Sequence, residues 1–274
     1  MPKVLSPAQV EGFWRDGYAA PIRAISTEKA ALIRQKLEAF EASTGGPLGG
    51  SLRGRSHLLF TWLNDLIREE KIVDAIEDLY GENLFCWASS FFIKEAEDPS
   101  FVSWHQDSTY WGLSSPDVVT AWVALSESNK ANGALEVVPG THLQDQIPHR
   151  DTFSKNNMLT RGQEVAVDVD PKSAVMLELE PGEMSLHHVR LIHGSAPNPS
   201  KRRRIGFAIR YMPTTVRQLE GEDSASLVRG VDSHGTFEIE PIPTRDMDPI
   251  TVAFHKKQHE RSVKILYKGA SVPA

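Results

Sequence analysis

Two histidines and an aspartate are the residues of this chain best suited to chemistry. His105 and Asp107 flank Gln106, and His193 follows 86 residues after Asp107 in the string LIHGSAPNPSKRRR. Neutral imidazole nitrogen together with anionic oxygen is a donor set that ferrous iron accepts, and three protein ligands on one face leave the opposite positions open for reaction. By itself the set allows several metals and several chemistries. Ten histidines in 274 residues also produce such combinations by chance, so the motif needs structural context.

That context is a set of elements able to bring the three together. Successive side chains of a strand point to opposite faces, so His105 and Asp107 share a side if residues 101–107 are extended. The third ligand must then come from a strand remote in sequence and adjacent in space. His193 follows the apolar stretch Val189-Arg190-Leu191-Ile192, and a rolled β-sheet brings such strands together. Extended runs rich in aromatic and β-branched residues are expected at 84–94, 118–125, 134–138, 175–179, 184–186 and 205–211, with Gly, Pro and Asn between them. Before them the pattern is helical. Ser6 is an N-cap with Pro7 at the first helical position, predicting a helix to about Asp16. A second helix follows Ser26-Thr27, with Ala30, Ile33, Leu37 and Phe40 on one stripe, and stops before Gly45; a third covers about 62–80. These stripes would brace the sheet from outside.

More of the chain has a recognisable order. Trp104-His105-Gln106-Asp107 is followed by Tyr110-Trp111, by Val119 to Leu125, by Asn132-Gly133, by Pro139-Gly140-Thr141-His142 and by Gly182 to His188. His193-Gly194-Ser195, Asn198, Ser200 and Arg204 complete it. Over roughly residues 5–215 the chain resembles the phytanoyl-CoA dioxygenase family of Fe(II)- and 2-oxoglutarate-dependent oxygenases. The resemblance implies a mainly β fold with flanking helices (α+β): a double-stranded β-helix, the jelly roll shared with cupins, braced by the N-terminal helices. It implies His105, Asp107 and His193 as metal and catalytic residues, with Fe(II), 2-oxoglutarate and O₂ as cofactors. It also implies Arg204, eleven residues beyond the last histidine, as the grip on the distal carboxylate of 2-oxoglutarate, assisted by Ser195, because a planar guanidinium matches a carboxylate bidentately. Trp122 and His142 are implied in the cosubstrate pocket. Relatives that halogenate carbon replace the carboxylate ligand with a small residue, so the intact Asp107 implies hydroxylation of an unactivated C–H bond, with release of succinate and CO₂.

Arg204 opens a run in which Ile205, Phe207, Ile209 and Tyr211 alternate with Arg204, Gly206, Ala208 and Arg210, the signature of a strand. Small residues beside Arg204 suit a face that lines a cavity. Arg210 shares that face as a rim salt bridge or as a grip on an anionic substrate. His187 has the parity of His193, and of the pair His187-His188 only one can look inward; it is read as a packed residue, an orienter of His193 or a substrate contact. Trp111, Phe91 and Phe92 are further candidates for substrate contact. His57, His149, His234, His255 and His259 read as surface or loop residues.

Composition sets the remaining bounds. With 40% hydrophobic residues the chain can bury one large core, and residues 1–274 are expected to form one domain: a helical scaffold over 1–82, a jelly-roll core over 83–213 and a C-terminal extension over 214–274 that caps the barrel or forms a subunit contact. A net charge of −6 argues against nucleic acid as partner. The lone Cys86 excludes an intramolecular disulfide and reads as a buried thiol. Neither a membrane-length apolar run nor a signal-peptide pattern is seen, so a cytoplasmic protein without membrane partners is expected, with homo-oligomerisation left open. Two long polar connections, 139–163 and 45–57, are expected to cover the site and select a small metabolite, with Arg53, Arg55 and Arg210 favouring an anionic one. Other readings of the same fold are a metal-binding, cupin-like isomerase or lyase, and a non-catalytic binding protein.

Overall fold

Alternation along the strands decides the architecture of the computed structural model, which describes residues 2–268. Helix α1 (Pro7–Asp16), strand β1 (Tyr18–Arg23) and helices α2 (Thr27–Thr44), α3 (Thr61–Leu66) and α4 (Glu70–Tyr80) come first. The strands that follow are β2 (Leu84–Lys94), β3 (Val102–His105), β4 (Val119–Ala124), β5 (Leu135–Val137), β6 (His149–Arg150), β7 (Glu164–Val165) and β8 (Val175–Leu177). The chain continues with β9 (Glu183–His188), β10 (His193–Ser195), β11 (Arg204–Pro213), β12 (Ser224–Arg229), β13 (Glu238–Ile239) and helix α5 (Pro249–Leu266). A seven-stranded sheet in the order β1-β9-β4-β11-β2-β12-β13 faces a four-stranded sheet in the order β3-β10-β5-β8, a jelly roll. Strands β6 and β7 form a small separate ribbon.

The convex face of the major sheet is apolar. Val119, Ala121 and Val123 of β4 and Ile205, Phe207, Ile209 and Tyr211 of β11 join Phe13 of α1, Ile33 and Leu37 of α2 and Ile72 and Ile76 of α4 in one buried core. The Val, Ile, Leu and Phe side chains among them each contribute about 1.5–3 kcal/mol by leaving water, which fixes the register of the strand. The alternate residues, among them Thr120, Trp122, Ala208 and Arg210, are thereby turned to the concave side, where the site lies.

Helices α1 and α2 keep the caps expected of them, with Ser6 and Ser26 accepting from Gln9 N and Lys29 N. The single helix expected over 62–80 is two. The backbone leaves α3 after Leu66, and the Tyr211 hydroxyl donates to the freed Ile67 carbonyl at 2.9 Å. The sheet also extends beyond the 83–213 segment. β1 pairs with β9, and β12 pairs with β2, so part of the expected C-terminal extension is sheet edge. Cys86 is buried as expected, and burial raises its thiol. No helix among the described residues is long and apolar enough to cross a membrane.

Candidate active site

Strands β3 and β10 pair so that His105 and His193 stand directly opposite each other, with ring centroids 4.1 Å apart. His105 Nδ1 lies 2.9 Å from the Ser103 carbonyl and His193 Nδ1 2.9 Å from the Leu191 carbonyl. A carbonyl only accepts, so each Nδ1 carries a proton and each Nε2 is the ring nitrogen turned toward Asp107 and free to take a metal. Asp107 does not continue the strand as expected; it opens a 3-10 turn directly after Gln106. Gln106 itself is extended (φ −108°, ψ 137°), which preserves the alternation and brings Asp107 to the histidine side. Its own side chain turns the other way, donating to the Arg190 carbonyl at 2.8 Å and accepting from Ile147 N at 2.8 Å, so it ties β3 to the 139–163 connection.

Asp107 Oδ1 lies 3.3 Å from His105 Nε2 and 4.0 Å from His193 Nε2, and the three donor atoms fall within 4.8 Å of one another. Burial alone would raise the Asp107 carboxyl. His105, Arg210 and His193 outweigh it and hold the group well below the usual carboxylate range. Burial, with His105 beside it, keeps His193 neutral. Two imidazole Nε2 atoms and an ionised carboxylate converging on one point are a donor set that a divalent metal accepts. Thr120 Oγ1 donates to Asp107 Oδ2 at 3.3 Å, occupying the second oxygen.

Farther in, Arg204 and Lys94 face each other as cross-strand partners of β11 and β2, both buried. Arg204 donates to the Gly133 carbonyl and lies 3.4 Å from Ser195 Oγ; Lys94 Nζ donates to Ser195 Oγ and to the Ala196 carbonyl. Neither forms a salt bridge with a carboxylate among the described residues, and Arg204 Nε has no partner at all. Burial pushes the Arg204 guanidinium down to about 10, and burial together with Arg204 pushes Lys94 down to about 7. Like charges directly opposite in a sheet destabilise it, and buried cations without counter-charge are costly. An anion in front of Arg204 and Ser195 relieves both. The narrow inner cavity there is lined by His105, Asp107 and His193 together with Trp122, Ser195, Arg204 and His187. The room expected above Gly206 is instead filled by Trp122: a Cβ on Gly206 would lie 1.8 Å from the Trp122 ring, which packs 5.3 Å from the guanidinium of Arg204.

A second cavity, of about 540 Å³, opens outward from this one, with Phe92, Asp107 and Arg210 lining both. Both expected covering segments line it, through Arg53 and Arg55 on one side and residues 155–161 on the other.

A model of the family described as "Phytanoyl-CoA dioxygenase (PhyH)" matches residues 1–206. The chain belongs to the phytanoyl-CoA dioxygenase family. It is 34% identical over 157 residues to a "Probable alpha-ketoglutarate-dependent hypophosphite dioxygenase" of Stutzerimonas stutzeri, covering 57% of this chain and 54% of that protein. It is 26% identical over 156 residues to an ectoine dioxygenase of Streptomyces avermitilis, covering 52% and 53%. The chain thus spans about half the length of the curated relatives it matches. Among solved structures, a "non-heme monooxygenase; ThoJ apo" superposes with a TM-score of 0.83 at 33% identity, covering 95% of this chain and 98% of that one. "CytC3 with Fe(II) and alpha-ketoglutarate" gives 0.65 at 26% identity, covering 90% and 97%.

Within this family frame most sequence-predicted residues converge: His105, Asp107, His193, Ser195, Arg204, Trp122 and His187 on the inner cavity, and Trp111 on the outer one, with Arg210 at the junction. His142 does not. Its Nε2 donates to the Trp14 carbonyl at 3.1 Å, satisfying the last turn of α1, and its ring packs on Gly17 and on His188 at 5.2 Å. His187 looks inward and His188 outward, as parity requires. His187 does not orient His193, however, because the Leu191 carbonyl does; its own Nδ1 has no partner among the described residues.

Lys94, Thr120 and helix α5 were not foreseen. A lysine ending the apolar run Phe91-Phe92-Ile93 was the one available signal for the first. Nor are His57 and His255 surface residues. His57 is fully buried between Ser89 Oγ (2.7 Å) and Glu240 Oε2 (2.8 Å), and His255 donates to the Gly54 carbonyl at 2.8 Å. His149 is half-buried and accepts from Gln106 N at 2.9 Å, bracing the turn that carries Asp107. His234 and His259 are exposed, as expected.

His57 belongs to a buried network in which Arg55 pairs with Asp223 at 2.8 Å and Glu240 at 2.6 Å, fastening the 45–57 segment to the C-terminal part of the chain. Burial would raise Glu240, yet His57, Arg55 and Ser226 hold it down to about 2. A depressed carboxylate contributes stability above its ordinary pKa of 4.5 and loses it as pH falls toward 2. Glu240→Gln is therefore expected to cost about 3 kcal/mol in urea denaturation at pH 7. The gap to wild type should narrow between pH 4.5 and the lowest pH at which both still fold. A pH-independent difference would contradict this assignment.

Proposed function

We propose that the chain is an Fe(II)- and 2-oxoglutarate-dependent dioxygenase that hydroxylates an unactivated C–H bond of a small-molecule substrate, releasing succinate and CO₂. One observation carries the reading: a divalent-metal donor set and the buried guanidinium of Arg204, which has no carboxylate partner among the described residues and stands opposite Lys94, meet at the same narrow cavity. The residues fit both groups. His105 Nε2, His193 Nε2 and Asp107 Oδ1 would hold the iron, and Arg204 with Ser195 would hold the distal carboxylate. When bound, iron with 2-oxoglutarate and O₂ supplies the oxidising equivalent that the side chains lack.

The protein's part is orientation and exclusion of water. The Ser103 and Leu191 carbonyls fix the two imidazole tautomers, and Thr120 holds the second Asp107 oxygen away from the ligand position. Trp122 walls the cosubstrate side. Over the outer cavity, Arg161 stacks 3.8 Å above Tyr110, and Tyr267 donates to the Thr160 carbonyl at 2.9 Å, holding the 154–163 stretch against the end of α5. The shared sheet leads us to read residues 2–268 as one domain, with a metabolite rather than nucleic acid as partner. An isomerase or lyase of the same fold would need the metal ligands but not the Lys94–Arg204 pair.

The test is succinate formation from 2-oxoglutarate by purified protein, with iron and O₂ each withheld in turn. Succinate formed without iron, or no binding of 2-oxoglutarate to the iron-loaded protein, would sink the reading. Lys94→Met gives a narrower check, because it removes the cation behind Ser195 while filling its space. Its affinity for 2-oxoglutarate by calorimetry should fall about 10-fold, the order expected for one charge-assisted contact. Unchanged affinity would make Lys94 a strut for β10 and nothing more.

A further inference from the structure

The lining of the outer cavity bears on which kind of molecule is oxidised, given the dioxygenase reading above. Five cations line it: Arg53, Arg55, Lys155, Arg161 and Arg210. Among the described residues only Asp107 and Asp223 oppose them on its walls, although the chain as a whole carries a net charge of −6. Arg55 is taken by Asp223 and Glu240, and Arg161 by Asp151 at 3.2 Å. Three cations are left for a ligand. Lys155 is exposed and Arg53 half-buried, so water screens them at the mouth. Arg210 is buried at the floor, where charge is screened least.

Arg210 is also incompletely used. NH1 lies 3.2 Å from Ser90 Oγ; among the described residues Nε has no hydrogen-bond partner, and the carboxylate oxygen facing it, Asp107 Oδ2, is 4.0 Å away. Asp107 is the anionic member of the metal-ligand set, so its charge is already committed. The guanidinium lies 5.4 Å from the Trp111 ring centroid, and Trp111 meets Trp87 at 4.8 Å, an aromatic wall leading outward.

We propose that the outer cavity takes an amphipathic organic oxyanion, such as a carboxylate, whose charged group is gripped by Arg210 and whose apolar body lies against Trp87 and Trp111. Because Arg210 stands beside Asp107, the anionic group is held next to the metal ligands. A hydrogen bond spans about 2.9 Å and each further carbon adds about 1.5 Å. Oxidation therefore falls on one of the first three carbons from the anionic group, and not at the far end of the molecule.

The experiment uses 3-phenylpropanoate and its neutral analogue 3-phenylpropanamide. Binding is followed by calorimetry and tryptophan fluorescence on the anaerobic, iron-loaded protein, with and without 2-oxoglutarate. The acid should bind at least about 10-fold tighter than the amide, since an unpaired buried charge is costly. Arg210→Met should reduce that preference to less than about 3-fold, and Arg210→Lys should retain part of it. On admission of air, mass spectrometry should place oxygen on the propanoate carbons and not on the ring. Equal affinity of acid and amide, no binding of either, a preference that survives Arg210→Met, or oxidation of the ring would each overturn the proposal. Failure to bind 2-oxoglutarate would instead strike the dioxygenase reading, because the acid-over-amide preference is measured without it as well.

Discussion

Asp107→Ala and His193→Ala are each expected to abolish iron-dependent succinate formation, lowering turnover by more than about 1000-fold. Residues that merely orient a ligand cost roughly 10–100-fold in metal affinity or activity when lost, and removing a ligand itself should exceed that. The two variants should differ in kind. His193 is neutral and held by the Leu191 carbonyl, so its removal takes one donor and leaves the charge balance intact. Asp107 carries the only negative charge in the set and also faces Arg210 at 4.0 Å. Its loss leaves a buried cation with no anion nearby, so Asp107→Ala should lose iron more completely and also shift the thermal midpoint of the metal-free protein. Equilibrium dialysis for iron and calorimetric unfolding of both proteins read these effects. Turnover within about tenfold of wild type in either variant is incompatible with the proposed ligand set.

Arg204→Met should weaken 2-oxoglutarate binding on the order of 100-fold while leaving iron affinity nearly unchanged. The methionine keeps the packing under Trp122 but removes a charged donor from a buried site, where leaving a carboxylate unpaired costs about 2–4 kcal/mol. Arg204→Lys should recover only part of the loss, since an ammonium cannot present two parallel N–H groups. Arg204 and Lys94 both contact Ser195 Oγ, so their effects should not add; the Lys94→Met, Arg204→Met double variant should fall short of the product of the singles. Calorimetric titration under anaerobic conditions measures all four proteins. Loss of iron binding in Arg204→Met would show that the cavity had collapsed and that the arginine is structural.

Much of the site is legible in the sequence. The donor types of His105, Asp107 and His193, the strand alternation after Arg204 and the inward parity of His187 all depend on local spacing, and spacing survives folding. The caps of α1 and α2 were legible for the same reason. His142 misled, because the turn that carries it is local while its partner, the Trp14 carbonyl, is 128 residues away. The break between α3 and α4 was hidden because the group that satisfies it, the Tyr211 hydroxyl, lies 144 residues further on.

By itself, then, the sequence determined which side chains could bind a metal, which face of each strand they would share and where the helices begin. The tertiary structure decided which residues meet. The register of β3 against β10 sets His105 opposite His193, that of β2 against β11 sets Lys94 opposite Arg204, and the return of the C-terminal chain seals His57 inside and walls the outer cavity with α5. Register is fixed by apolar burial on the opposite face of each sheet and by contacts distant along the chain. The charge environments of Asp107, Lys94 and Arg210 therefore arise only once those strands are packed.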